Sequence, residues 1–155
     1  MAFFTLAAGA AAADLLAKLW AQNSLAERTI DSGLIDLQLA YNSGVAFSLG
    51  NALPGWVVIA CTTAITVGIA VLGWRIAPRA GFLELGGLAA VLGGATANLI
   101  DRTLNGHVTD YLHTGWWPTF NLADVLIVGG GITFGFGYLW VGRKGDIDPV
   151  RTPPS

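Results

Sequence analysis

The 155-residue chain is 54% hydrophobic and 12% charged, where an ordinary soluble domain carries about 25% charged residues, and its mean hydropathy is +0.60. A net charge of -2 argues against a nucleic-acid surface or strong electrostatic steering of a charged partner. The single cysteine, Cys61, sits in an apolar run and excludes an intrachain disulfide framework. These features specify an all-α integral membrane protein of one domain, 1–155.

Four stretches are apolar for the roughly 20 residues that a helix needs to cross a hydrocarbon core of about 30 Å: 2–21, 54–74, 82–100 and 122–141. The first ends in small residues, as a signal peptide does. It has no basic leader and is interrupted by Asp14 and Lys18, so it is expected to be a retained span. Asp14 and Lys18 stand four apart on one helical face and can pair.

In the connection that follows, "LIDLQLAYN" alternates with period two and predicts a strand. "NSG", Asn42 to Gly44, is a turn signal, and "VAFSLG" can return as a second strand. The expectation is a small amphipathic hairpin or sheet element on the extracytoplasmic side. The next connection carries Arg75 and Arg79, and the polar tail 143–155 carries Arg143, Lys144 and Arg151. With an even number of spans, this basic bias places both termini in the cytoplasm.

The third span carries a small-residue stripe, Gly86, Ala90, Gly94 and Asn98, and ends in Asp101 and Arg102. Asp101 has Arg102 beside it as a cation. The fourth begins at "FNLADVLI", where Asn121 can cap the helix and Asp124 is its third residue. With the topology above, Asp14, Lys18, Asn42, Asn98, Asp101, Arg102, Asp110, Asn121 and Asp124 all map to the outer face. Ionisable groups at membrane depth are costly and mark function.

Three chemistries suit this set. Asp110, in the connection between spans three and four, and Asp124 are the outer carboxylates least committed to a cation. Brought together, they would share a proton, one acting as base on water while the other polarises a carbonyl. His107, Asp110, His113 and Asp124 are also of types that ligate zinc, which a metal-dependent hydrolase would use. Asp14 and Lys18 alone would suit a proton pathway or small transporter.

"DLLAK" (14–18), "NSGVAFSLG" (42–50), "GGATANLIDR" (93–102), "HVTDY" (107–111) and "FNLADVLI" (120–127) occur in the order of the sequence boxes of lipoprotein signal peptidases, signal peptidase II, which this chain resembles over nearly its whole length. The resemblance implies an aspartic endopeptidase of the bacterial inner membrane that needs no metal or cofactor. It would cut signal peptides from prolipoproteins just before a diacylglyceryl-modified cysteine. Asp110 and Asp124 would be the catalytic pair. Asp14, Lys18, Asn42, Gly44, Asn98, Asp101, Arg102 and Asn121 would bind substrate or support the site, with Asn98 and Arg102 on the substrate backbone. Membrane lipid and a globomycin-type inhibitor are the other expected partners, nucleic acid is not one, and a monomer suffices. The chain departs from the family in Ala97, where glycine is usual and looser packing is expected, in Ala17, and in a shorter stretch between Asp110 and Asn121, "YLHTGWWP", which covers the site in relatives.

Overall fold

The computed structural model describes residues 1–43 and 54–145. In chain order it contains helix α1 (Ala2–Ser24), strand β1 (Asp36–Asn42), helices α2 (Gly55–Ile76) and α3 (Phe82–Asn105), strand β2 (Val108–His113) and helix α4 (Leu122–Gly145). The four helices are those expected, and each is long and apolar enough to cross a membrane. Most run a few residues past the hydropathy limits. The 23 residues of α1 span about 35 Å at 1.5 Å per residue, more than the hydrocarbon core needs.

Helix α3 is the centre of the bundle. Over its most apolar window 56% of residues are buried, against 6% in α2. Small side chains let the neighbours close on it. A Cβ added to Gly94 would lie 2.5 Å from the carbonyl oxygen of Ala123 on α4, and one on Gly93 would lie 2.6 Å from that of Ala7 on α1. Gly87 and Gly130 meet backbone to backbone in the same way. The expected stripe is therefore only partly right: Gly94 is a contact, but Gly86 has open space around its Cα. Ala97 is fully buried beside Ala11 and Ala123, so the methyl group that replaces the usual hydrogen is packed rather than loose.

The caps of α3 are local. Glu84 accepts the Gly81 N–H at 2.7 Å at its start. At its end Gly106 takes the left-handed conformation (φ 77°) and donates its N–H to the Arg102 carbonyl. That reversal sends the chain directly into β2.

Strand β1 lies where the alternation predicts it. Its partner among the described residues is β2, which enters from the connection between α3 and α4. The pairing is antiparallel, from Asp36 opposite His113 to Asn42 opposite Val108, with an irregularity between Leu37 and Ala40 that fits one extra residue on β1. The proposed return strand 45–50, and Gly44 with it, lie outside the described residues. Leu37, Leu39 and Leu112 of the sheet pack with Ala21, Leu25, Tyr111 and Leu122, so one face of the sheet caps the end of α1 and the start of α4.

Candidate active site

Asn121 immediately precedes α4. Its Oδ1 accepts the Asp124 N–H at 3.0 Å, and Asp124 Oδ2 accepts the Asn121 N–H at 3.1 Å, a reciprocal cap. With Oδ1 committed, the amide nitrogen points the other way and donates to Asp110 Oδ1 at 2.6 Å. One residue thus links the carboxyl group of a helix, through its backbone N–H, to that of a strand, through its side-chain amide. Asp110, expected in a loop, stands in β2 opposite Ala40.

A second amide is oriented by the same logic. Lys18 Nζ has only protons to offer and donates to Asn98 Oδ1 at 2.6 Å. The other end of that amide then donates to Asp124 Oδ1 at 3.0 Å. Lys18 also pairs with Asp14 at 2.8 Å, as the i, i+4 spacing predicts. Asp14 Oδ1 accepts the Ala123 N–H at 2.7 Å. The first N–H groups of α4 have no partner within the helix. Here three of them are met by side chains from elsewhere: Leu122 by the Tyr111 hydroxyl at 3.3 Å, Ala123 by Asp14 and Asp124 by Asn121.

Asp101 corrects the expectation that it pairs with Arg102. Its carboxylate accepts the Thr109 N–H and the Asn105 amide, each at 2.7 Å, and its ion pair is with Lys18 at 3.6 Å. A backbone N–H of β2 is a fixed partner, whereas the next residue along a helix points about 100° away. Arg102 faces Asp110, Asp124 and Asp101 electrostatically, and among the described residues its Nε has no hydrogen-bond acceptor. Asn42, at the end of β1, adds a hydrogen bond to Asp110.

Asp14, Lys18, Asp110 and Asn121 are all buried, and Asp124 is only half-buried. Burial above all, with the charge of Asp124 in the same sense, pushes the Asp110 carboxyl up to about 6; hydrogen bonds from Asn121 and Asn42 and the charge of Lys18 oppose the rise. Tyr111, next in the strand, is pushed up to about 12, chiefly by burial, and its hydroxyl is a phenol at neutral pH.

Asp124 opens onto a cavity of about 370 Å³ whose other walls are Thr114, Trp116, Trp117, Phe120, Val125 and Val128. These walls are mainly apolar and come from α4 and the "HTGWWP" connection that precedes it. A bridge between Leu112 and Phe120 folds that connection back over the start of α4.

Four residues near the site had no assigned role in the sequence reading. Thr109 anchors β2 to Asp101, and Gln22 donates to the Thr109 hydroxyl at 2.8 Å. Tyr111 caps Leu122, and Thr114 has a buried hydroxyl without a partner among the described residues. Thr109 and Tyr111 lie inside the box "HVTDY" and Thr114 in the stretch "YLHTGWWP"; nothing local marked Gln22. The histidines of the metal reading have other neighbours, since His107 packs edge-on against Tyr41 and His113 lies 3.1 Å from the Thr119 hydroxyl. Among the described residues no three His, Cys, Asp or Glu side chains converge as metal ligands would.

Two bacterial membrane enzymes solved by the in meso method, at 2.3 Å and 1.9 Å resolution, share the fold with TM-scores of 0.76 and 0.73. They are 18% and 20% identical and align over 97% and 89% of this chain and 94% and 92% of theirs. Lipoprotein signal peptidases of Mycolicibacterium smegmatis and Mycobacterium tuberculosis are each 42% identical to this chain over 68% of its length, covering 48% and 56% of their own. That of Rhodococcus jostii is 35% identical over 83% of this chain and 68% of its own. The chain thus spans about half the length of the first of these relatives. The family model described as Signal peptidase (SPase) II matches residues 6–140, and with four apolar spans around a buried polar cluster the chain belongs to the signal peptidase II family.

Proposed function

We propose that the chain is an aspartic endopeptidase that removes signal peptides from diacylglyceryl-modified prolipoproteins, with Asp110 and Asp124 as its catalytic pair. The observation that carries this reading is the Asn121 bridge between two carboxyl groups of unequal burial beside an apolar cavity. In the active form Asp110, raised to about 6, carries the proton, a form whose share grows as pH falls toward 6, and the more accessible Asp124 is the base. Asp124 takes a proton from water as its oxygen bonds to the scissile carbonyl carbon, while Asp110 gives its proton to the carbonyl oxygen. The diol collapses when Asp124 passes its proton to the leaving nitrogen and Asp110 recovers its own, breaking the C–N bond. Water and two carboxyl groups supply every proton, so the scheme calls on no metal.

Arg102, with Nε unpaired among these carboxylates, and Asn98 supply donors for the substrate backbone. Asp14, Lys18, Asn42, Asp101 and Asn121 have supporting roles in this reading, and the network of hydrogen bonds and ion pairs among them supports it. The site faces the extracytoplasmic side in this reading, both termini lie in the cytoplasm, and one copy suffices. A globomycin-type inhibitor competes for the cavity.

The test is cleavage of a diacylglyceryl-modified prolipoprotein by the purified protein, with and without globomycin. The wild type cleaves the modified substrate, globomycin blocks it, and Asp110→Asn and Asp124→Asn each fold but lose about 10²–10⁴-fold in rate. Near-normal turnover in either variant overturns the pair, and failure to cut the modified substrate overturns the substrate assignment.

A further inference from the structure

At the end of the bundle remote from the carboxylates a second cavity, of about 290 Å³, opens between α2 and α4. Glu84 on its wall is about 26 Å from Asp101 along α3, taking 1.5 Å per residue. The walls are apolar in depth, with Leu72 and Ile76 from α2 and Phe134 from α4, and polar in three places: Arg79, Glu84 and Tyr138.

Both flanking helices are mostly exposed along their spans, and α2 packs chiefly on α3. In a bilayer this groove therefore opens sideways into hydrocarbon. Its volume takes acyl chain but not another helix, which is about 10–12 Å across with its side chains. What remains is the headgroup.

Arg79 is exposed on the connection between α2 and α3, where a guanidinium can fork onto a phosphate. Glu84 is 91% buried; its Oε2 accepts the Gly81 N–H at 2.7 Å, and Oε1 is left as an acceptor. Its stem is braced against α4, where a Cβ added to Gly137 would lie 3.0 Å from Glu84 Cγ. A cation and a carboxylate on one groove match a headgroup that carries a phosphate and a donor cation. A quaternary ammonium has no proton to give Glu84, and an uncharged glycerol headgroup gives only a neutral hydroxyl.

We propose that this groove binds one phospholipid with a primary-amine headgroup, phosphatidylethanolamine, with its phosphate on Arg79, its ammonium on Glu84 and one acyl chain between α2 and α4. The site is independent of the peptidase reading and is tested without activity.

The full-length protein, delipidated in detergent, is titrated with phosphatidylethanolamine, phosphatidylglycerol or phosphatidylcholine of matched chains. Native mass spectrometry reads the bound lipid. One phosphatidylethanolamine should be retained at least fivefold more strongly than either other lipid. Glu84→Gln, whose amide oxygen can still cap Gly81, should abolish that preference. Arg79→Gln should weaken all three. Equal retention of the three lipids means annular lipid only and overturns the proposal. A preference for phosphatidylglycerol, or one for phosphatidylethanolamine that survives Glu84→Gln, also overturns it.

Discussion

Replacing Asp110 by asparagine should make the protein more stable while destroying its proposed activity. The folded site raises the Asp110 pKa from 3.8 to about 6 because the charged form is buried beside another carboxylate. Folding therefore favours the protonated acid. The favourable contribution is complete below about pH 4, is lost as pH rises toward 6, and above that the buried charge is a standing cost. At 1.36 kcal/mol per pKa unit the cost approaches about 3 kcal/mol at neutral pH. Asparagine has no charge to bury and keeps an oxygen to accept from Asn121. Its amide protons lack an assigned acceptor, which reduces the net gain to about 1–2 kcal/mol. The assay is reversible unfolding from detergent micelles into dodecyl sulfate, followed by circular dichroism, for both proteins at about pH 8 and about pH 4. Asp110→Asn should lead at the higher pH, and the gap should close at the lower. Equal or lower stability at the higher pH, or a gap independent of pH, would refute the burial argument.

Gly94→Ala should cost about 1–3 kcal/mol and lower turnover, because the added methyl meets the Ala123 carbonyl next to the start of α4; Gly86→Ala, which meets nothing, should stay within about 0.5 kcal/mol in the same unfolding assay. Similar losses in both would remove the close-approach account of α3 and α4. Lys18→Met strands Asp14 and Asp101 without their cation and should destabilise by about 3–5 kcal/mol, with partial recovery when Asp14→Asn is added; a neutral result in thermal unfolding would show that water compensates these carboxylates. For the proposed topology, cysteines at positions 32 and 155 in a Cys61→Ala background should react with an impermeant maleimide from opposite sides of the membrane, and labelling of both from outside would reverse the assignment.

Much of the architecture was legible locally. A run of 20 apolar residues demands a helix in lipid whatever its neighbours are, since no other partner exists there for the backbone. The Asn121 cap with Asp124 and the Asp14–Lys18 pair involve residues three and four apart, and helix geometry alone brings them together. The family boxes then supplied the other candidate site residues in order, though not their partners.

What the sequence left open was every contact made across the fold. Nothing near Asp36–Asn42 announces that its strand partner lies between α3 and α4, and strand pairing carries no periodic signal of its partner's address. Asp101 has an arginine beside it in sequence, yet it is the lysine of α1 and an N–H of β2 that reach its carboxylate. The meeting of Asp110 with Asn121 depends on the return of the chain after β2 and on α3 lying close to α4 at Gly94. The raised pKa of Asp110 comes from the burial this packing creates, because desolvation is a property of the assembled site and not of the residue.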